Sequence, residues 1–494
     1  MPESTHNAFV VRLLNRYEHY REPALVHRRF RHRDILPLLE KLRALPGVAV
    51  HGEGRSTEGR DIFRIEAGHG ATPVLMWSQM HGDEPTATMA LFDLLNFLTA
   101  DDEWNGLRML ILDAVTLHVI PMLNPDAAER FQRHTPWGVD LNRDALRLQA
   151  PESRLLKRVR DELGAEFGFN LHDQSTRYSA GTSPESTIIA FLAPPVDAES
   201  SVTAVRRRSM QLIAALNQVL QTMIPDRVAA YSDEFEPRAF GDNIQKWGTS
   251  TILVESGGLA GDPEKQHIRK INFLILLESL RQIATKAYET VDIAGYYDIP
   301  PNLFRMYDTI FRGAGYHYRE QRFELDIAIN RDEIETGGAG GKGFYLHGTV
   351  ADTGDLSTFC GYQELDASEL TVVPGKICPD SFSDLSDLGN TDPLALIRRG
   401  YTAVSLDRIP DKLHTDYPLN IVKTGSVQPT GTMPGTDANL LFYRGDDVVY
   451  SVINGTVTDV AAGQCPDGNA LVYPQSSDDR QRYLAEPEED PRMP

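Results

Sequence analysis

The chain has 494 residues, more than one ordinary hydrophobic core organises, so its length predicts two domains. Its 49 basic and 70 acidic residues give a net charge of −21, which argues against nucleic-acid binding because that binding requires Lys and Arg to neutralise phosphates. No apolar run approaches the roughly 20 residues needed to span a bilayer, and the N-terminus lacks the apolar core of a secretory signal. Three cysteines without a paired metal-binding spacing predict reduced thiols and a cytoplasmic protein.

The first part of the chain predicts an α/β domain over residues 1–295, with a helical lead-in over about residues 1–45. Short apolar runs alternate there with amphipathic stretches, a pattern typical of helices packed on a sheet. The predicted strands are 73–79, 109–112, 117–123, 167–171 and 249–255. The predicted helices are 35–45, 85–98, 152–163, 202–223 and 265–291. Several consecutive connections must cross over, so we expect a mixed, largely parallel sheet flanked by helices.

The composition changes after Pro300 and Pro301. Gly, Asp, Thr and short alternating runs predict a smaller, mainly-β domain over residues 300–475. The segments ELDASELTVVPGKICPD and PGTDANLLFYRG resemble the small β domain that flanks the barrel in amidohydrolases, but the barrel itself has no counterpart. We therefore expect an accessory domain without chemistry. The polar, acidic and Pro-rich residues 476–494 predict a disordered tail.

The segment MHGDE places His81 and Glu84 three residues apart, where an apolar run ends and a helix begins. Alone this pattern is more typical of a polar loop, because a catalytic zinc site needs three protein ligands and an open position. FGFNLHDQ brings His172 to the end of another predicted strand, and STILVESGG does the same for Glu255. A carboxylate at the end of a buried strand is costly without a charged partner, and a metal ion supplies one. Taken together, these motifs predict a metal site.

A fourth segment, NPDAAERFQRHTPWGVDLNRD, follows the strand predicted at 117–123. It contains Arg130, Arg133, Asn142 and Arg143. Guanidinium groups bind carboxylates through two hydrogen bonds and polarise oxyanions. Such side chains beside a metal would suit a substrate that carries a terminal carboxylate.

In this order, HGDE, NPD…R…GVDLNR, LHD and VES resemble the zinc carboxypeptidase family of the carboxypeptidase A type, an M14-like metallopeptidase. GEGRSTEGRDI resembles that family's lead-in, and the similarity covers about residues 45–290. The resemblance implies one zinc ion, with Asp140 orienting the first histidine ligand and Glu255 as general base and acid. The zinc ligands that it implies are His81, Glu84 and His172.

The same resemblance implies substrate-binding residues. Arg133 would polarise the scissile carbonyl, and Asn142 and Arg143 would bind the C-terminal carboxylate. Tyr231 is the only tyrosine near the position of the phenol that closes over substrate in the family. Asp242 would favour a basic side chain in the specificity pocket, cap the turn that follows or pair with Arg238, and the capping interpretation is favoured.

The predicted function is therefore a zinc-dependent carboxypeptidase acting on a peptide or amino-acid conjugate with a free carboxylate. One alternative is a zinc deacylase of the succinylglutamate desuccinylase and aspartoacylase type, whose NP-x-A turn matches Ala127. Another is an inactive scaffold that binds carboxylates, which the retention of all three ligands with Glu255 disfavours. We expect no membrane or nucleic-acid partner. The natural substrate, its side chain and the oligomeric state stay open.

Overall fold

A computed structural model describes residues 10–336, 343–464 and 466–473 of the chain. The chain divides into two compact units, Met1–Phe304 and Arg305–Pro494. Cys465 and the tail predicted at 476–494 lie outside the described residues. Among the helices that are described, none is long and apolar enough to cross a membrane.

An eight-stranded mixed sheet forms the centre of the first unit. Its strands are β1 (Val48–Arg55), β2 (Asp61–Ala67), β3 (Thr72–Ser78), β4 (Val115–Ile120), β5 (Phe167–Asp173), β7 (Ile189–Leu192), β8 (Val228–Ala230) and β9 (Ser250–Ser256); β6 (Tyr178–Ala180) pairs separately with β10 (Asn302–Phe304). The strand order is β1-β2-β4-β3-β5-β9-β7-β8. The neighbours β4, β3, β5 and β9 run parallel, as do β7 and β8, and the other pairs are antiparallel.

Helices cover this sheet, and the first described residues, 10–15, are also helical. The helices are α1 (His32–Arg43), α2 (Thr86–Thr99), α3 (Asn105–Ala114), α4 (Pro125–Ala128), α5 (Pro151–Leu163), α6 (Ala204–Leu220), α7 (Phe240–Lys246), α8 (Gln266–Thr285) and α9 (Ala294–Tyr297). Helices α2 and α8 pack against each other and are buried over most of their length; α2 is largely apolar, whereas α8 also buries polar side chains such as Arg269, which pairs with Asp93 of α2. The predicted fold class, a mixed and largely parallel sheet flanked by helices, is confirmed.

One predicted strand is wrong. Residues 109–112 lie within α3, not in the sheet. The short apolar run that suggested a strand buries only one helical face: Ile111 is in the core, whereas Met109 is 60% exposed. A run of four apolar residues cannot distinguish a buried strand from part of a helix. The strand predicted at 117–123 is β4 and begins two residues earlier.

The second unit is mainly β, as predicted. Its strands are β11 (Met306–Tyr318), β12 (Gln321–Glu335), β13 (Phe344–Gly354), β14 (Cys360–Asp366), β15 (Thr371–Pro374), β16 (Lys376–Phe382), β17 (Tyr401–Leu406), β18 (His414–Thr415), β19 (Asn420–Lys423), β20 (Leu440–Arg444), β21 (Asp447–Ile453), β22 (Thr456–Asp459) and β23 (Ala470–Tyr473). They form an eight-stranded sheet, β13-β12-β11-β15-β20-β21-β22 with β14 beside β11, and a five-stranded sheet, β16-β17-β19-β23-β18. A short helix, α10 (Pro393–Arg398), connects β16 to β17. The accessory role of this unit stays a prediction.

Candidate metal centre and active site

The carboxyl ends of β3, β5 and β9 meet at one edge of the first sheet, because the three strands are parallel neighbours. In open sheets of this kind, ligands bind at that edge. His81 and Glu84 follow β3, His172 lies near the end of β5, and Glu255 lies near the end of β9. His172 and Glu255 are directly paired across the two strands. The topology thus brings all four predicted side chains to one place.

A strained turn connects β3 to His81. Gln79 has a φ of 45°, a left-handed conformation that costs of the order of 1–3 kcal/mol in a residue other than glycine. Its side chain is buried and donates a hydrogen bond to the carbonyl of Gly82 (3.0 Å) while accepting one from the Thr88 hydroxyl (3.0 Å). Gly82 itself approaches Ala127 so closely that a Cβ at position 82 would lie 2.1 Å from the Ala127 carbonyl carbon. The hydrogen bonds of the Gln79 side chain and the close packing of Gly82 on Ala127 therefore hold the loop in one conformation.

The three predicted ligands converge on one point. The Nδ1 atom of His81 lies 2.7 Å from one carboxylate oxygen of Glu84, and the Nδ1 atom of His172 lies 2.6 Å from the other. All three side chains are buried, and one ligand atom from each lies within 4.8 Å of the others. Two imidazole nitrogens and a carboxylate are the ligand set of many catalytic zinc sites.

Electrostatics favour a cation between these groups. Burial opposes charge on His81, but the Glu84 carboxylate raises the pKa of the His81 imidazole to about 9. Burial also opposes ionisation of Glu84, yet the two histidines lower the pKa of its carboxyl below the usual range. The protein therefore stabilises positive charge between Glu84 and His81, the place where a divalent ion would lie.

Asp140 and Arg133 surround the outer side of His81. The Nε2 atom of His81 lies 3.0 Å from an Asp140 carboxylate oxygen, which leaves Nδ1 for a metal. Arg133 donates to the other Asp140 oxygen from Nη2 (2.9 Å), and its Nη1 atom lies 3.3 Å from Glu84. The guanidinium therefore borders both the histidine and the carboxylate of the ligand set.

Glu255 is 7% exposed, and its Oε2 atom has no hydrogen-bond partner among the described residues. Burial and the neighbouring Glu84 raise the pKa of the Glu255 carboxyl well above its ordinary value. A buried carboxyl with an unsatisfied oxygen costs stability, and such groups cluster at functional sites.

Asn142 and Arg143 lie on a short turn that docks against the start of α7. The Asn142 side-chain oxygen accepts the backbone N–H of Phe240 (2.9 Å). The Nε atom of Arg143 lies 3.3 Å from Glu236, a carboxylate that also binds Arg238 at 2.7 Å. Arg143 thus already contacts a carboxylate, the chemical group that was predicted to bind there.

Tyr231 lies just after β8 and is half-buried. The negative charge of Glu255, together with burial, raises the pKa of the Tyr231 phenol, so its hydroxyl keeps its proton at neutral pH. Asp242 is buried and accepts the backbone N–H of Glu236 at 3.1 Å, so the turn that it caps lies before it in the chain and not after it. Arg238 pairs with Glu236 instead of Asp242.

Two residues near the site were missed by sequence reasoning. Asp173, directly after His172, has a side chain that is only 6% exposed and lies 3.2 Å from the amine of Lys265. The motif LHD contained the signal, because Asp173 is a carboxylate at the end of a buried strand and needs a partner, as Glu255 does. The identity of that partner, 92 residues later, has no signature in the sequence.

Comparison with known proteins agrees with the motifs. The family model described as zinc carboxypeptidase matches residues 37–221. The chain is 32% identical over 108 residues to "Carboxypeptidase 2" of Trichophyton rubrum, covering 22% of this chain and 19% of that protein. It is also 32% identical over 101 residues to "Carboxypeptidase SOL1" of Arabidopsis thaliana, covering 19% of this chain and 21% of that protein. The chain thus spans about a fifth of the length of these relatives.

Among solved structures, a metallo-carboxypeptidase from Burkholderia cenocepacia is similar, with a TM-score of 0.42 and 16% identity, over 52% of this chain and 70% of that one. The resemblance to zinc carboxypeptidases predicted from the motifs is confirmed by the family match over residues 37–221.

Proposed function

We propose that this chain, which matches the zinc carboxypeptidase family over residues 37–221, is a zinc-dependent carboxypeptidase. It would hydrolyse the C-terminal amide bond of a peptide or amino-acid conjugate that has a free carboxylate. The observation that carries this proposal is the convergence of two imidazole nitrogens on the two oxygens of Glu84, at 2.6 and 2.7 Å, beside the buried Glu255.

The residues present fit one zinc ion. Two carboxylates face His81, Glu84 at Nδ1 and Asp140 at Nε2, so they favour positive charge on this side chain, and a divalent ion at Nδ1 would supply that charge. His81, Glu84 and His172 would hold the ion. Zinc would supply a Lewis acid and a bound water of lowered pKa.

Glu255 would act as general base and acid. Its unsatisfied Oε2 atom is available to accept the proton of the attacking water and to pass it to the leaving amine. Burial raises the pKa of this carboxyl, which brings it closer to that of the groups with which it exchanges the proton. A general base of this kind contributes about 10²–10⁴ to the rate.

Arg133 would stabilise the oxyanion that develops on the scissile carbonyl. Its guanidinium borders Glu84 and is held from the other side by Asp140, so it is oriented before substrate binds. Fixed donors directed at a developing charge cost no reorganisation during the reaction.

Asn142 and Arg143 would bind the C-terminal carboxylate and so determine which bond lies over the metal. Because Arg143 contacts Glu236 in the absence of substrate, binding exchanges or shares that ion pair. The protonated hydroxyl of Tyr231 would donate a hydrogen bond to the bound substrate.

The proposal is tested by incubating the zinc-loaded full chain with two panels, one of peptides with free C-termini and one of small N-acyl amino acids. We expect release of the C-terminal residue from peptides. Cleavage confined to N-acyl amino acids would establish the deacylase instead. Hydrolysis of neither panel, with carboxylates bound nonetheless, would favour the inactive scaffold.

A further inference from the structure

Next to the candidate metal centre, a buried ion pair joins Asp173 to Lys265. The amine lies 3.2 Å from Oδ2 of the carboxylate, and the two side chains are only 6% and 7% exposed. Removing two charges from water is costly, and replacing a buried ion pair with apolar residues of similar volume is often neutral or stabilising. Stability alone therefore does not account for a buried ion pair at this place.

The Asp173 carboxylate connects separate elements of the fold. The hydroxyl of Thr86, at the start of α2, donates to the same Oδ2 atom at 2.6 Å. Lys265, just before α8, also donates to the backbone carbonyl of Ser256 at 3.0 Å. Asp173 and Ser256 are directly paired at the ends of β5 and β9.

Each contact is one or two residues from a side chain of the proposed site. Thr86 follows Glu84 by two residues, Asp173 follows His172, and Ser256 follows Glu255. One carboxylate and one amine thus join the three segments that carry two metal ligands and the general base. A change in either group would alter the spacing of these segments.

The backbone at Lys265 supports this interpretation. Its φ of 49° is left-handed, a conformation that is strained for a residue with a Cβ. Helix α8 does not need the Lys265 side chain in order to begin, because Asp262 accepts the backbone N–H groups of Gln266 (2.7 Å) and His267 (2.9 Å). The strained conformation instead directs the amine to Asp173 and Ser256.

We propose that Asp173 and Lys265 are a positioning pair, which fixes Glu84 and His172 at the spacing that zinc requires and holds Glu255 beside them. This inference rests on the proposed function, since it assigns the pair a role toward the same metal and base. Groups that orient metal ligands typically change metal affinity by 10–100-fold when they are replaced.

The test measures zinc affinity of the full chain by competition with a chelator, and separately the free energy of unfolding. One variant, Asp173→Asn/Lys265→Met, removes both charges together, so that neither is left buried alone. A second, Thr86→Val, removes one hydrogen bond and keeps the ion pair. We expect zinc to bind about 10–100-fold more weakly to the double variant and about fivefold more weakly to Thr86→Val.

A matched control is the buried pair Asp93–Arg269, whose side chains are both 0% exposed and which joins the same helices, α2 and α8. Asp93→Asn/Arg269→Met should lower the free energy of unfolding and leave zinc affinity unchanged. At saturating zinc, the Asp173→Asn/Lys265→Met enzyme should lose kcat more than it changes KM, because Glu255 shifts while the carboxylate-binding residues do not.

Zinc affinity within about twofold of wild type in the double variant would overturn the proposal, as would an equal loss in the control. If the double variant does not fold, unchanged affinity in Thr86→Val would overturn it. Suppose that wild type binds zinc and cleaves peptides, and that the variants keep full zinc affinity. This result would contradict the positioning role of the pair and leave the proposed function standing. Wild type that binds no zinc contradicts the proposed function and the pair together.

Discussion

Each of the two units buries a cluster of polar side chains, and the two clusters differ in how their hydrogen bonds are completed. In the second unit, the side-chain amide of Asn439 accepts from Asn420 (2.7 Å) and from the backbone of Asn454 (2.9 Å). Its amino group donates to the Pro429 carbonyl (3.1 Å) and to the Tyr473 hydroxyl (3.2 Å). Every polar atom of this amide is thus satisfied within the protein, as a structural role requires.

The cluster in the first unit is incomplete. Four buried atoms around the candidate metal centre lack a hydrogen-bond partner within the described part of the chain: His172 Nε2, Glu255 Oε2, Asp83 Oδ1 and Asp173 Oδ1. Each such atom costs stability. Burial of polar groups alone does not identify a site, whereas several buried polar groups without partners, gathered at the ends of parallel strands, make a candidate site.

The largest expected effect is the loss of activity when Glu255, whose Oε2 atom lacks a hydrogen-bond partner among the described residues, is replaced. Glu255→Gln should lower kcat on peptides by about 10²–10⁴-fold, because the variant cannot accept a proton from water. Zinc content should stay at the wild-type level, since Glu255 is not one of the proposed ligands. The exposed residue Glu234 provides a control, and Glu234→Gln should keep full activity. Full activity of Glu255→Gln would contradict the role of base.

Removal of zinc should destabilise only the first unit. The four tryptophans lie at positions 77, 104, 137 and 247, all in that unit, so their fluorescence follows its unfolding. With free zinc at a hundredfold excess over its Kd, binding adds about 2.7 kcal/mol to the stability of the folded form. A chelator should therefore shift the fluorescence transition to lower denaturant concentration. An identical transition with and without chelator would count against a folded-state zinc site.

The hydrogen-bonded cluster around Asn439 should affect the stability of the second unit and not the binding of zinc. Asn439→Ala leaves several buried groups without partners and should cost the second unit about 2–4 kcal/mol, measured by far-UV circular dichroism during denaturation. The tryptophan transition and zinc affinity should not change. Asn469 is a milder control because its donor atom makes only long bonds of 3.3–3.5 Å. Loss of zinc binding in Asn439→Ala would contradict a purely structural network.

The smallest effect concerns Glu58, which lies in the segment GEGRSTEGRDI of the first unit. Arg130 and Arg60 lower the pKa of the Glu58 carboxyl to about 2 from its ordinary value of 4.5. Since the folded-state pKa is the lower one, the stabilisation is present above about pH 4.5 and is lost as pH falls toward 2. Glu58→Gln should therefore cost about 0.5–1 kcal/mol at pH 7, and the difference from wild type should shrink in acid. A difference independent of pH would rule out this ion pair as its cause.

The sequence predicts most of what depends on local pattern. The motifs at the ends of β3, β5 and β9 predicted the residues that converge, because an apolar run followed by a polar residue marks a strand end. The four-residue run at 109–112 failed because strand and helix share that pattern over so short a length. Strands β1, β2, β7 and β8 were not predicted, since several are short or interrupted by glycine and charge.

Contacts between distant segments were beyond prediction. The pairing of Arg143 with Glu236 and of Asp173 with Lys265 joins residues 92 or more positions apart, through side chains whose types fit many partners. The direction of the Lys265 amine depends on a left-handed backbone conformation, which the neighbouring residue types do not predict. Such details follow from tertiary packing and not from local preference.

Zinc titration of the metal-free full chain by calorimetry, with the His172→Ala variant beside wild type, is the most direct test of the converging ligand set. We expect wild type to bind one zinc ion per chain and the variant to lose that site, because only two of the three protein ligands remain. Wild type that binds no zinc, or a His172→Ala variant that binds it as tightly as wild type, would contradict the proposed centre.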